Sequence, residues 1–399
     1  MPTRSPLKAT LPDSLQIRLL TSIRDIAAAD WDACANPAGQ AFNPFISHAF
    51  FDALEASGSA TAQTGWLGQH LVLENPQGKA LGILPLYLKN HSQGEYVFDH
   101  AFADALERAG GSYYPKLQAS VPFTPATGPR LLVPPGPDEA AIKHTLANAA
   151  IRLADAREAS SVHITFLPQA DFDLLGADET LWLQRTDTQF HWENDGYKSF
   201  DDFLATLSSS RRKNLRKERA AALTADIEIE WLTGQSLKEA HWDAFYEFYM
   251  DTGNRKWGTP YLTRNFFSRI HETMAEHILL VMCNRNGKPI AGAFNMIGSD
   301  TLFGRNWGAV EHHPFLHFEA CYYQAIDFAI ARGLKHVEAG AQGGHKLARG
   351  YLPRTTRSLH HFTDPRLAQA VKQYLKAERE AVAHQQEELQ AHSPFRNAD

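Results

Sequence analysis

HLVLENPQGKALGILPLYL occupies residues 70–88, and HILLVMCNRNGKPIAGAFNMI occupies residues 277–297. Each reads as an apolar strand, a turn carrying Gly-Lys and a second apolar strand. Each follows a helix-period segment, HAFFDALEASG from His48 and RNFFSRIHETM from Arg264. The same helix–hairpin unit in both halves predicts an internal duplication. RAGGSYYPKLQAS (108–120) and ARGLKHVEAGAQ (331–342) read as a second corresponding pair.

Working outward, the second half is the clearer one. A helix is expected over Leu204 to Leu223, interrupted or capped at Ser208 to Ser210. Ile278 to Cys283, Pro289 to Ile297 and Thr301 to Trp307 predict an antiparallel meander. A long helix follows from Phe315 to Arg332, stopped by Gly333, then short strands at Val337 to Ala339 and Arg357 to Phe362. Pro365 to about Gln390 reads as a final helix, with residues 385–399 expected to fray. Helices, antiparallel hairpins, a long helix and further strands make an α+β class rather than alternating βαβ. The break between halves is expected near ENDGYKS, giving units 1–193 and 194–399.

The 399 residues are 44% hydrophobic and 21% charged, which fits a folded protein of two or three domains. A net charge of −6 excludes a generic polyanion binder, though not a local basic patch. Cys34, Cys283 and Cys321 form no CxxC pair, which argues against structural zinc and a disulfide framework. The N-terminus shows no signal-peptide h-region, and no apolar run is long enough to span a bilayer. A cytoplasmic location is therefore expected.

One helix is strongly basic. Between Arg211 and Arg219 stand six Lys or Arg residues and one acid, Glu218. A charge run of this kind is ordinarily a solvated face. Preceded by three serines, it also suits phosphate contact by Arg211, Arg212, Lys213 and Arg216. The candidate anions are a nucleotide-sugar diphosphate, a cofactor pyrophosphate or tRNA.

EAGAQGGHKLARG (338–350) is the second candidate segment. Its glycines allow close backbone approach to a ligand. His345 can exchange a proton near neutral pH, and Lys346, expected in an exposed cleft, can stabilise an oxyanion or a phosphate. Glu338 is either a buried partner of Lys346 or Arg349, or a base with a raised pKa. Glu319 lies in an aromatic helix, where a carboxylate needs a partner, Arg305 or Lys346, or acts as a base. His312, His313 and His317 resemble a metal cluster, but Pro314 breaks the helical spacing, and no metal is expected. GxSxG, HExxH, Walker A and GxGxxG elements are absent from the sequence.

QTGW, QHLVLE, PLYLKNHSQGEYVFD, YYPKLQASVPFTPATGPRLL, QFHW, SRRKNLRKER, LHFEACYYQAI and GAQGGHKLARG together resemble the FemAB-like (peptidoglycan biosynthesis/recognition) family of predicted N-acyltransferases. The resemblance runs from about Ser47 to Phe395. It implies two tandem domains of the GNAT acyltransferase fold, each a mixed, mostly antiparallel sheet flanked by helices, with the active site in the second. It also implies amide formation from an activated ester or thioester, with Lys346, His345, Glu319 and Glu338 as catalytic candidates. Arg305, Trp307, Tyr323, Gln342, Gly343 and Arg349 join the basic helix as substrate-binding candidates, though for Trp307 and Tyr323 core packing is the first reading and a cleft wall the second. Relatives are expected to carry an acid where this chain has Gly344. No clean Gln/Arg-x-x-Gly-x-Gly/Ala loop for a CoA pyrophosphate is present, which favours aminoacyl-tRNA over acyl-CoA as co-substrate. No tightly bound cofactor is expected, and the acceptor is an amine on a small molecule or precursor. Acyl-CoA transfer to a small amine and a non-catalytic recognition module are the competing readings. All of them require the basic helix and the glycine segment to meet at one groove.

Overall fold

A computed structural model describes residues 14–223, 226–256, 260–340 and 343–396. The first half runs β1 (Gln16–Leu20), α1 (Ala28–Ala35), α2 (His48–Ala56), β2 (Trp66–Gly68), β3 (His70–Glu74), β4 (Ala80–Leu84) and β5 (Tyr87–Lys89). It continues through α3 (His100–Arg108), β6 (Lys116–Ala119), α4 (Glu139–Ala156), β7 (Ser161–Thr165), α5 (Gln169–Gly176) and β8 (Leu183–Glu193). The second half runs α6 (Phe200–Thr206), α7 (Ser209–Ala222), β9 (Ile227–Leu232), α8 (Glu239–Lys256), α9 (Arg264–Met274), β10 (Ile278–Arg285), β11 (Lys288–Ile297) and β12 (Thr301–Ala309). A helix built of α10 (Leu316–Phe318), a π-helical turn (Glu319–Tyr323) and α11 (Gln324–Arg332) leads to β13 (His336–Glu338). A 3₁₀ turn (Gly344–Arg349), β14 (Leu352–Phe362) and α12 (Pro365–Ala391) complete it.

The two quoted stretches form matching hairpins, β3–β4 and β10–β11, each antiparallel and each preceded by a helix pair. Both halves then place a strand, a helix and a parallel strand: β6, α4, β7 and β12, α10–α11, β13. The duplication expected from the sequence is thus built into the strand order. It also corrects the second sequence correspondence. His336–Glu338 matches Ser161–Thr165, which lies after the equivalent helix, and not Lys116–Ala119. The apolar–basic texture of the two stretches matched, but the position relative to the preceding helix did not.

The halves are interlocked. Their strands form one 11-stranded sheet in the order β2-β5-β6-β7-β14-β8-β13-β12-β11-β10-β9, beside a 3-stranded sheet β1-β3-β4. β14, the last strand of the chain, pairs with β7 of the first half (Ser358 opposite Thr165). β8 pairs with β13 of the second half (Glu338 opposite His191). β8 and β14 pair with each other from Leu352–His191 to His360–Leu183. Each half therefore lends its final strand to the other. These pairings join the two halves into one continuous sheet across the junction. Residues 392–396 do not simply fray. Phe395 bridges to Leu207, and Ser208 N–H donates to Pro394 O over 3.0 Å.

Apolar faces of α8, α9 and β10–β11 join α1 and α2 in one core, with Trp31, Phe51, Trp242, Phe267 and Phe294 at its centre. A second core packs α6, α7 and α10–α11 against the other face of β10–β13. The site described next lies at the rim of that second core. Among the described residues, no helix is long and apolar enough to cross a membrane.

Candidate active site

The cleft originates in strand geometry. In the β11–β12 pair, Phe294 faces Asn306 and Asn295 faces Gly304, so Arg305 is an extra, bulged residue. β13 runs parallel to β12 only over Thr301–His336 to Phe303–Glu338. Beyond Phe303 the two strands lose their ladder and leave a gap. A narrow cleft of about 90 Å³ opens there, walled by Arg305, Trp307, His317, Cys321, Tyr322 and Ala339.

The helix over this cleft is not a regular α-helix. The π-helical turn at Glu319–Tyr323 inserts an extra residue into the repeat. It sends consecutive side chains to different partners. Glu319, 0% exposed, accepts two hydrogen bonds from Arg219 (2.8 and 3.1 Å) and one from Gln324 Nε2 (2.7 Å). Cys321 and Tyr322 face the cleft. Tyr323 is fully buried and donates its hydroxyl to Glu218. The expected partners of Glu319, Arg305 or Lys346, are thus replaced by Arg219. Tyr323 is not a cleft wall, and its neighbour Tyr322 takes that place. Burial raises the Glu319 pKa while Arg219 and Gln324 oppose the rise, and both oxygens are engaged. Glu319 anchors the turn and is not positioned to take a substrate proton.

The glycine segment folds beneath this turn. Gly340, Gly343 and Gly350 all have positive φ (80°, 121° and 89°). A Cβ on Gly343 would lie 2.6 Å from the His345 ring, so only glycine admits this approach. Gly344 begins the 3₁₀ turn, exposed, with open space where a Cβ would project. Gln342 lies outside the described residues.

His345 is exposed, and its Nε2 lies 2.9 Å from the Tyr322 hydroxyl. Burial, Arg349 and Lys346 together lower its pKa, keeping the ring neutral at pH 7. Lys346 is not the exposed cleft lysine expected from sequence. It is 2% exposed, because the 3₁₀ turn folds its stem inward, and Nζ donates to Gly340 O over 2.9 Å. Burial pushes its pKa down to about 8, with the Cys321 thiol group the opposing influence. Arg349 is also buried. It holds His345 O (2.7 Å), grips both oxygens of Glu218 (2.9 Å each) and stacks 3.5 Å from the Phe318 ring centroid.

α7 meets this assembly with one face only. Leu215 and Ala222 pack inward, Glu218 reaches Arg349 and Tyr323, and Arg219 bridges Glu319 and Asp327. Arg219 also stacks on Phe200, 4.3 Å from its centroid. Arg211, Lys213 and Arg216 are on the solvent side, with Arg216 paired to exposed Asp201 at 2.9 Å. Arg212 is half-buried, its Nη1 3.5 Å from Leu207 O. The basic helix and the glycine segment do meet, through Glu218 and Arg219 rather than through the outward cations.

The carboxylate of Glu338 and the guanidinium of Arg305, whose residue also edges the cleft, reach the opposite face of the sheet. Val337 packs into the second core, so Glu338 points to the opposite face. There the Thr127 amide hydrogen-bonds its carboxylate, Arg130 and Arg305 lie near, and Oε2 has no partner among the described residues. Burial pushes its pKa up to about 8. Arg305 does not reach for a phosphate. Its Nη2 donates to Phe123 O and lies 3.4 Å from Thr124 Oγ1, tying the bulge to the first half. Trp307 sits edge-on to His317 with centroids 5.4 Å apart. His313 contacts Glu311 at 2.9 Å.

Sequence reasoning missed Glu218, Cys321 and Tyr322. Glu218 carried a signal, as the lone acid in a cationic run. Cys321 and Tyr322 carried none, because the π turn shifts them out of the regular helical period.

Comparisons with known proteins agree with this architecture. The FemAB-like family, described as peptidoglycan biosynthesis/recognition, matches residues 22–397. The solved structure of FemX is 12% identical, with a TM-score of 0.54 over 87% of this chain and 98% of FemX. A conserved protein of unknown function from Bacteroides thetaiotaomicron is 13% identical, with a TM-score of 0.50 over 87% of this chain and 100% of its own. L-PGS from Bacillus licheniformis is 9% identical, with a TM-score of 0.50 over 85% and 98%. At these identities the likeness is one of fold. No curated protein matches the chain. The match of one family over nearly the whole length settles the assignment: the chain belongs to the FemAB-like family and shares the fold of FemX.

Proposed function

We propose that the chain forms an amide bond, moving an aminoacyl group from aminoacyl-tRNA to the amine of a precursor molecule. The unit of residues 194–399 carries the reaction and the unit of residues 1–193 supports it. The observation that carries this reading is the gap where β12 and β13 part, with Tyr322 at its wall, His345 2.9 Å from the Tyr322 hydroxyl and buried Lys346 on the adjoining turn. Such a cleft positions an ester carbonyl beside an amine, and that positioning supplies much of the rate without a protein nucleophile.

In the proposed step the acceptor nitrogen attacks the ester carbonyl. The C–N bond forms, the C–O bond to the tRNA ribose breaks, and the ribose oxygen leaves carrying a proton. Neutral His345, working with the Tyr322 hydroxyl, accepts the proton from the amine. Lys346, a cation at pH 7 with its pKa near 8, stabilises the developing oxyanion with the loop amides. Glu319 and Arg349 hold the π turn and the 3₁₀ turn in register. The solvent-side cations Arg211, Lys213 and Arg216 support a polyanionic donor over a small acyl-CoA, because they form a broad face rather than a pyrophosphate nest.

The test is an isotope-transfer assay with charged tRNA, acyl-CoA and a panel of amine acceptors. Label passing from tRNA to an amine supports the proposal. Transfer from acyl-CoA alone, or binding without transfer, removes it.

A further inference from the structure

A second cleft lies at the seam between the halves, apart from the one beneath the π turn. Its volume is about 330 Å³, within the range of about 300–1,000 Å³ usual for small-molecule sites. Tyr261 of the second half lies flat on Phe123 of the first, with centroids 4.9 Å apart and planes 11° apart. Phe123 in turn meets Trp66 edge-on at 5.3 Å. Tyr261 remains 40% exposed, so one aromatic face is offered to solvent beside the cleft.

The place is held at a cost. Phe123 has a φ of 58°, a left-handed conformation unusual for a non-glycine residue. Its N–H donates to Gly94 O over 3.0 Å and its carbonyl accepts from Arg305. Trp66 is 1% exposed, and its indole N–H has no acceptor among the described residues.

The rim decides the class of ligand. Gln63, Asn90 and Gln93 supply carboxamides, each able to donate and accept. No Asp, Glu, Lys or Arg is among the described residues lining the cleft. His91 is kept neutral by burial and by Lys89. Lys89 itself is fully buried, its Nζ 3.5 Å from the Trp66 ring centroid and donating to Gln93 O over 3.2 Å. A phosphate would meet no accessible cation here. An aromatic face and a ring of exposed carboxamides suit a polyhydroxylated, uncharged ring. We infer that this interdomain cleft binds a neutral saccharide ring, stacked on Tyr261 and hydrogen-bonded by Gln63, Asn90 and Gln93.

The inference stands apart from the transfer chemistry and is tested by binding alone. Saturation-transfer NMR on the full chain, with cellobiose and N,N′-diacetylchitobiose as probes, should show saturable signals from the ring protons of at least one. Tyr261→Ala should weaken that binding about 3–10-fold, the worth of one aromatic contact. Tyr261→Phe should retain it, and Gln93→Ala should weaken it. Tyr374→Ala, an exposed tyrosine on α12, should change nothing. Equal binding in the parent and Tyr261→Ala overturns the inference, as does displacement of the sugar by inorganic phosphate or a nucleoside monophosphate. Loss of transfer with sugar binding intact would count against the proposed reaction only.

Discussion

Lys346→Met separates what the buried lysine contributes to the fold from what it contributes to the reaction. In the folded chain burial lowers the Lys346 pKa from 10.5 to about 8. At about 1.4 kcal/mol per unit, the fold carries roughly 3 kcal/mol against the charged form. Between about pH 8 and pH 10.5 the folded state binds fewer protons than the unfolded chain. Stability therefore rises with pH through that window, and the penalty is fully present below it. Methionine keeps the length of the stem and carries no charge. It loses the hydrogen bond to Gly340 O, worth about 1 kcal/mol. The expected result at pH 7 is a variant about 2 kcal/mol more stable than the parent. Near pH 10.5 that advantage should disappear, leaving the variant about 1 kcal/mol less stable for want of the hydrogen bond. Transfer should meanwhile fall about 100-fold or more, the usual effect of removing one oxyanion donor. Urea denaturation at the two pH values and single-turnover transfer measure both. A variant less stable at pH 7 by the same margin as at high pH would refute the buried-ammonium reasoning. Transfer at the parental rate would remove Lys346 from the reaction.

Glu338 has the opposite sign: burial pushes its pKa from 4.5 up to about 8, so the fold holds its proton longer and stability falls as pH rises through that interval. Glu338→Gln should flatten the decline and melt above the parent at pH 9, as thermal scans at pH 5, 7 and 9 will show. Arg349→Ala strands the Glu218 carboxylate and the His345 carbonyl, and should cost about 2 kcal/mol in urea denaturation. Replacing Arg211, Lys213 and Arg216 together by alanine should leave the melting temperature nearly unchanged, because all three are exposed. It should reduce the slope of log affinity for tRNA against log salt by about 2–3, which filter binding across a salt series reads directly.

The hairpins at 70–88 and 277–297 were legible because strand alternation and a Gly-Lys turn are local signals. The meander β10–β12 and the helices α6, α7, α9 and α12 followed from the same rules of period and capping. β8 was not read. Its sequence LQRTDTQFHWE mixes polar residues on both faces, and its place between β14 and β13 is fixed by partners 140 or more positions away. In the site, the proximity of the basic helix to the glycine segment was anticipated, but its pairing was not. Core packing for Tyr323 agrees with the first sequence reading, but the π turn that seats it on Glu218 and brings Tyr322 to the cleft leaves no mark in the sequence. Burial of Lys346 was hidden too, because a glycine-rich segment with four ionisable side chains carries no apolar pattern from which to infer an inward turn.

The exchanged strands also change what the first half contributes. With β14 set against β7 and β8 against β13, the segment from Phe123 to Arg130 lies beneath the parting of β12 and β13. Its Thr127 amide is the hydrogen-bond donor to Glu338, and its Phe123 carbonyl receives Arg305 from the bulge. A carboxyl group with its pKa near 8 and a bulged arginine are both costly to bury without such partners. The geometry of the second half's cleft therefore depends on backbone groups of the first. A duplicated fold whose copies had merely been joined by a linker would leave these polar groups to water, and the gap would be free to close. Here the backbone of the first half keeps the gap open.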